Sequence, residues 1–190
     1  MTLPDLDFNS DHLAEHGYVV SQSVWLLSVS ELLREFAKMS RDQGQVKSGP
    51  LVRGDSVRWA EETDLLDTNI WLALHKLKDR MNKEFFLSGR RWDVQAACFK
   101  NSNGYARHKD TTGKKNSRVL SLVFYTNPDW KDGDGGELVL YPEIEGADGD
   151  GARVSVEPRA GTFVLFKPSL EHEVRPSFSE RTSVACWLLM

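Results

Sequence analysis

The sequence predicts a mostly β fold supported by N-terminal helices: a two-sheet barrel of the jelly-roll or cupin kind, a double-stranded β-helix. Three observations predict it. Apolar residues repeat at helical spacing only in the first half of the chain. From Trp92 onward the sequence breaks into short apolar runs separated by turn residues, about eight of them, the pattern of an all-β sandwich or barrel. The length, 190 residues, suits one domain with a sizeable core. That domain would span 1–190, with helical support over about 1–90 and a barrel core over about 91–190.

The first helix is short, capped by Asn9 or Ser10 and stopped by Gly17. Tyr18-Val19-Val20 reads as a strand. Ser28 and Glu31 form a capping box, and Val29, Leu32, Leu33, Phe36 and Ala37 follow at helical spacing, so this helix should bury that stripe on a sheet. Residues Arg41 to Trp59 are polar and hold Gly44, Gly49-Pro50 and Gly54. They read as a long loop or mobile hairpin of the kind that serves as a lid. Asp67 or Thr68 opens the longest helix, roughly Asn69 to Phe86, with Ile70, Leu74, Leu77, Met81 and Phe85 on one face. Strands are expected at Trp92–Lys100, Tyr105–Lys109, Val119–Thr126, Glu137–Tyr141, Arg153–Val156, Thr162–Phe166, Glu173–Arg175 and Thr182–Leu189. Asn103-Gly104, Asn127-Pro128, Gly133 to Gly136, Gly149 to Gly151, Arg159-Ala160-Gly161 and Pro176 separate them.

Composition excludes several function classes. A net charge of −4 gives no basic excess for nucleic acid or anionic membranes. No run is long and apolar enough to span a bilayer, and no basic-then-apolar leader opens the chain. The expectation is a cytoplasmic monomer. Cys98 and Cys186 have no CxxC partner and read as buried reduced thiols. His12 and His16 stand i,i+4 on the first helix but lack a third ligand nearby. The loops Asp132-Gly133-Asp134-Gly135 and Asp148-Gly149-Asp150-Gly151 lack the full carboxylate set of a calcium loop and read as hairpin loops.

The chemistry gathers around Gly104-Tyr105-Ala106-Arg107-His108-Lys109-Asp110. On a strand, residues i and i+2 face one side, so His108 and Asp110 can converge on one spot. His172 can add a third ligand from a neighbouring strand. Two imidazoles and one carboxylate make the facial triad of non-haem Fe(II) oxygenases, with open positions left over. On ligand type alone a zinc hydrolase is also open, with Glu171 or Glu173 as its base. Arg181 then opens the last strand. A guanidinium there pairs bidentately with a carboxylate and stays charged. His-x-Asp, a long gap, His, a short gap and Arg is the order found in 2-oxoglutarate-dependent oxygenases.

The segment around His108, together with Phe124-Tyr125-Thr126-Asn127-Pro128-Asp129-Trp130, Gly135-Gly136-Glu137-Leu138 and His172-Glu173-Val174-Arg175-Pro176, resembles the prolyl hydroxylase family. The branch it is most similar to is the oxygen-sensing (hypoxia-inducible-factor) type and its bacterial relatives, and Arg53-Gly54-Asp55 with Trp59 resembles that branch too. The resemblance runs from about Leu51 to the C-terminus. It implies Fe(II) on His108, Asp110 and His172, with 2-oxoglutarate and dioxygen as cosubstrates and ascorbate as a candidate reductant. It implies that Arg181 and Tyr125 hold the far carboxylate of 2-oxoglutarate, within an apolar wall of Val123, Leu138, Val174 and Trp187. Phe99 stands where the oxygen-sensing enzymes carry a tyrosine, so one hydroxyl near the cosubstrate is missing. The resemblance further implies hydroxylation at C4 of a prolyl residue in a protein, with succinate and CO2 as co-products and Tyr105, Arg118, Arg53, Asp55 and Trp59 touching the substrate. The oxygen sensors carry further domains, so the expectation is a bacterial stand-alone enzyme whose target, by analogy, is a translation factor. Alternatives are the same chemistry on a free amino acid or another side chain, and a non-catalytic metal- or ligand-binding barrel.

Overall fold

The computed structural model describes residues 4, 6–39, 42–43, 54–61, 68–100, 102–111, 117–142 and 153–190. Among the described residues three helices, α1 (Ser10–His16), α2 (Val24–Lys38) and α3 (Thr68–Phe85), accompany eleven strands. The strands are β1 (Tyr18–Gln22), β2 (Asp42–Gln43), β3 (Asp55–Ala60), β4 (Arg91–Phe99), β5 (Asn103–His108), β6 (Arg118–Tyr125), β7 (Leu138–Tyr141), β8 (Val154–Val156), β9 (Thr162–Phe166), β10 (Glu171–Ser177) and β11 (Arg181–Leu189).

They form two antiparallel sheets. The larger runs β1-β9-β6-β11-β4-β3-β2 and the smaller β5-β10-β7-β8. Each central strand of the larger sheet serves two layers, because its side chains alternate. Val94 and Ala96 of β4, Leu122 and Phe124 of β6, and Val184, Cys186 and Leu188 of β11 face outward and pack with Leu26, Leu33 and Phe36 of α2 and Leu74, Leu77 and Met81 of α3. The opposite faces look into the barrel, where Tyr125, Val164 and Phe166 meet Leu138 and Leu140 of the smaller sheet. This is the jelly-roll type of fold expected, and the helices back only the larger sheet. No helix among the described residues is long and apolar enough to cross a membrane.

The N-terminal half differs from the sequence expectation in three ways. First, α2 begins at Val24, not beyond Ser28: Ser23 is its cap, accepting from Leu26 N–H at 3.3 Å. Ser28 lies inside the helix and donates to Trp25 O at 2.6 Å. A mid-helix serine satisfies itself this way, so the local Ser-x-x-Glu match had no free helix end to cap. Trp25, Leu26, Leu33, Phe36 and Ala37 are the buried face, and Leu32 is exposed. Second, the expected loop contains β3, which pairs with β2 and β4. Asp55 and Val57 point inward from it, so a strand whose inward residues include a carboxylate escapes an apolar pattern. Third, the strand expected at Tyr18-Val19-Val20 forms as β1, and it and β3 extend the large sheet from the half expected to be helical support. Asn9 caps α1 and Gly17 ends it in a left-handed conformation, as expected. Arg53, Asp67 and the loop Asp148 to Gly151 lie outside the described residues.

Candidate metal centre

β5 and β10 lie side by side with His108 opposite His172. Their ring centroids are 4.2 Å apart. β5 ends at His108, one residue short of the expected strand end at Lys109, so strand alternation does not place Asp110. It lies in a bend, fixed by its N–H donating to Pro168 O at 2.9 Å, and its side chain still turns to the same spot. Asp110 Oδ1 is 3.9 Å from His108 Nε2 and 3.8 Å from His172 Nε2. One ligand atom from each residue falls within 4.8 Å of the others.

The remaining atoms of these side chains are already committed. His108 Nδ1 sits 2.8 Å from Ala106 O, and His172 Nδ1 sits 2.9 Å from Leu170 O. A carbonyl only accepts, so each Nδ1 carries the proton and each Nε2 presents its lone pair. Asp110 Oδ2 accepts from Ser121 Oγ at 2.6 Å and Trp187 Nε1 at 2.9 Å, which leaves Oδ1 toward the imidazoles. Arg118 Nη1 is 3.7 Å from Oδ1. Two imidazole nitrogens and one carboxylate oxygen on one side of an open space fit a divalent transition metal that keeps free positions.

Deeper in the barrel Arg181 is 2% exposed. Its Nε donates to Gly136 O at 2.8 Å and its Nη1 to Ser183 Oγ at 2.9 Å. Gly136 has φ of 72°, and a Cβ there would fall 3.0 Å from Arg181 Cδ, so only glycine lets the chain pass this close. The guanidinium carbon lies 4.8 Å from the Phe99 ring centre and 5.3 Å from that of Tyr125. Burial lowers the Arg181 pKa and pushes Tyr125 up to about 12. The Tyr125 hydroxyl is buried next to the Arg181 guanidinium but makes no hydrogen bond of good geometry among the described residues. A buried cation beside an orphaned hydroxyl fits an anion that accepts from both, such as the far carboxylate of a dicarboxylate.

Triad, arginine and tyrosine line one cavity of about 720 Å³ of empty space, its open mouth included. Val123, Leu138, Val174 and Trp187 line it, and Phe99 lies under Arg181. At the mouth Tyr105 stacks on His108 at 3.7 Å, Arg118 covers Trp187 at 4.1 Å and Trp59 lies 5.8 Å from Trp187. Asp55 lines the cavity from the β3 side. The sequence reading missed Ser121, Ser183, Gln95 and Phe166. Alternation from Arg181 along the last strand would have found Ser183.

Other expected features fall into place away from the cavity. Glu171 is ion-paired with Arg107, and Glu173 influences Tyr141 on the outer side of β10. Neither lines the cavity, so neither serves as base to a metal hydrolase. His12 and His16 are close, with centroids 4.3 Å apart, but the triad is the one three-ligand group among the described residues. Cys98 and Cys186 are buried free thiols.

Residues 94–189 match the family model described as the 2OG-Fe(II) oxygenase superfamily. The structure is similar to a prolyl-4-hydroxylase from Pseudomonas putida at 26% identity, with a TM-score of 0.82 over 94% of this chain and 95% of that one. It shares its fold with a prolyl hydroxylase from Trichoplax adhaerens, solved with a hypoxia inducible factor oxygen degradation domain peptide fragment, at 21% identity and a TM-score of 0.78 over 94% and 86% of the chains. It shares the fold also with SnoK, a non-heme alpha ketoglutarate dependent carbocyclase from nogalamycin biosynthesis, at 14% identity and a TM-score of 0.68 over 94% and 81%.

Proposed function

We propose that this chain, which belongs to the 2OG-Fe(II) oxygenase superfamily, hydroxylates a prolyl residue of a protein at C4, with succinate and CO2 as co-products. Its cofactors are Fe(II), 2-oxoglutarate and dioxygen. When bound, these supply the power to replace a C–H bond by C–OH.

The chain's own residues bind, orient and exclude water. His108, Asp110 and His172 hold the metal, and Ser121 and Trp187 keep Asp110 presenting one oxygen. Arg181 and Tyr125 take the far carboxylate of 2-oxoglutarate, and the apolar wall keeps that ion pair strong by lowering the local dielectric. Phe99 contributes a ring face and no hydroxyl. Trp59, Tyr105, Arg118, Asp55 and Arg53 receive the substrate. The whole of 1–190 works as one domain, a cytoplasmic monomer acting on a protein such as a translation factor, with ascorbate as reductant.

The observation that carries the prolyl reading is the likeness to the Pseudomonas putida prolyl-4-hydroxylase, which extends over nearly the full length of both chains. A half-exposed indole beside the mouth suits the flat face of a proline ring. The likeness to SnoK favours a second reading, the same chemistry on a small molecule. The test is to incubate the enzyme with Fe(II), 2-oxoglutarate and fractionated cellular protein, then map peptides by mass. One added oxygen on proline, released as 4-hydroxyproline on hydrolysis, is the expected result. Succinate release driven by small metabolites alone, with no proline modified, would sink it.

A further inference from the structure

Outside the cavity a second pair of histidines stands on α1. His12 and His16 are one helical turn apart, so both imidazoles project from the same face. Their ring centroids are 4.3 Å apart and their planes are tilted by 55°. The imidazoles of the metal centre, His108 and His172, are 4.2 Å apart with the same tilt of 55°. Two rings that share one metal at ~2 Å per bond, near a right angle, place their centres about 4.5 Å apart. One turn of helix thus reproduces the ring arrangement that two paired strands make in the barrel.

The surroundings of the pair suit a cation. Glu15 Oε2 lies 3.7 Å from His16 Nε2, close to the separations between Asp110 Oδ1 and the triad's imidazoles, 3.9 Å and 3.8 Å. The order His-x-x-Glu-His is one that zinc enzymes use to set two ligands and a carboxylate on a single helix. Tyr18 orients the rings: its own ring meets that of His12 edge-on at 5.2 Å and lies 6.4 Å from that of His16. The nitrogens of His108 and His172 are partly committed to carbonyls. Those of His12 and His16 make no hydrogen bond among the described residues, so both rings can turn a lone pair outward.

We propose that His12 and His16 form a second metal site, on the surface of α1, for a late first-row divalent cation. Imidazole suits Cu(II), Ni(II) and Zn(II), and affinity at such a site runs highest for Cu(II) and lower for Fe(II) than for Ni(II) or Zn(II). No third side chain completes a three-ligand group among the described residues. The side chains of His16 and Glu15 are 43% and 75% exposed, so water fills the remaining positions. Lys167 bonds Ala14 O at 3.4 Å, and the carboxylates of Asp11 and Glu15 on the same helix offset its charge. The site rests on neither the oxygenase chemistry nor the prolyl target.

A cation bridging His12 and His16 closes one turn of a seven-residue helix, a length that does not hold by itself in water. α1 follows a segment tied to α3 through Arg80, which donates to Phe8 O at 3.3 Å, and Ser10 of α1 donates to Glu84 at 2.7 Å. Through Gly17 the helix leads into β1, the edge strand of the larger sheet. Metal binding therefore stiffens the junction between the helical layer and that edge.

The experiment dialyses the whole chain against buffered Zn(II), without 2-oxoglutarate, and counts metal per chain at equilibrium. His12→Ala and His16→Ala should each bind one equivalent fewer than the unaltered protein, whatever the triad takes up, with circular dichroism showing that both are folded. A double variant, Ala14→His with His16→Ala, keeps two histidines on α1 but two residues apart, where they do not face each other. It should lose the same equivalent. Cu(II) in the unaltered protein should show an electron paramagnetic resonance component with two imidazole nitrogens that is absent from all three variants. The proposal is overturned if zinc uptake is the same in the unaltered protein and either single variant. It is overturned also if the double variant binds as tightly as the unaltered protein, which would mark adventitious binding to surface histidines.

Discussion

The two faces of β11 share one backbone and do opposite work. Outward, Val184, Cys186 and Leu188 are wholly buried among helix side chains and other apolar strands. Inward, Arg181, Ser183, Ala185 and Trp187 line the cavity and carry charge and hydrogen bonds. The outer face is where burial stabilises the chain, at about 25 cal/mol per Å² of apolar surface. The inner face holds groups whose burial is unfavourable until a ligand completes them: the lowered pKa of Arg181 and the orphaned Tyr125 hydroxyl are both signs of this. Stability and function are thus separated by one step of strand alternation, and each can be changed without the other.

The largest effects belong to the metal. His108→Ala or Asp110→Ala should abolish 2-oxoglutarate turnover and the weak visible band of the anaerobic Fe(II)–2-oxoglutarate complex; thermal unfolding of the metal-free protein should barely move in His108→Ala and should fall in Asp110→Ala, which strands the Ser121 and Trp187 donors. Next is Arg181→Ala. Losing one partner of a buried charge pair costs about 2–5 kcal/mol, so 2-oxoglutarate affinity by calorimetry should fall on the order of 10²–10³-fold. Metal-free stability should change little, because removing a desolvated cation offsets the loss of its bonds to Gly136 O and Ser183 Oγ. Leu188→Ala is the mirror experiment: a loss of about 2–5 kcal/mol in denaturant unfolding, with cosubstrate affinity retained. If Leu188→Ala instead weakened 2-oxoglutarate as strongly as Arg181→Ala does, the separation of faces would be wrong.

What the sequence made legible follows the same division. His108, Asp110, His172 and Arg181 could be found because each is an unusual residue beside an apolar run. Tyr125 and the apolar wall came with the family resemblance. Ser121 was invisible, because its role depends on sheet register and on the bend at Pro168 that brings Asp110 to it. Trp187 was assigned to the wall, and its hydrogen bond to Asp110 spans a sequence gap that no local pattern bridges. Ser28 fitted a local capping rule more fully than Ser23 did, yet tertiary packing of Trp25 and Leu26 started α2 earlier. β3 was hidden by Asp55, an inward carboxylate on a strand. Sequence pattern reveals what a residue is paired with nearby, and the functional face is built mostly from distant pairs.

Trp187→Phe sharpens the comparison at intermediate scale. It keeps an aromatic ring in the wall and removes one hydrogen bond from Asp110. Metal affinity should fall about 10–100-fold, the usual cost of losing a group that orients a ligand. Competition with a chelator measures it. Fold stability should change far less than in Leu188→Ala.

The smallest effect at neutral pH, and the one with the most informative sign, is Tyr125→Phe. The hydroxyl is buried without a hydrogen bond of good geometry among the described residues, so its removal should stabilise the metal-free protein by about 1 kcal/mol. The same change should weaken 2-oxoglutarate on the order of tenfold, because a hydrogen bond to a charged carboxylate is lost. Alkaline titration gives an independent check. The folded pKa is raised from 10.0 to about 12, so between these values the unfolded chain releases the phenolic proton and the folded chain keeps it. Stability must therefore fall as pH rises through that window, by roughly 2–3 kcal/mol in all. Tyr125→Phe should lack this fraction of the fall, read as the difference between the two proteins' unfolding curves. A variant that is less stable at pH 7 and equally sensitive to alkali would mean that Tyr125 is already satisfied in the fold and does not wait for a ligand.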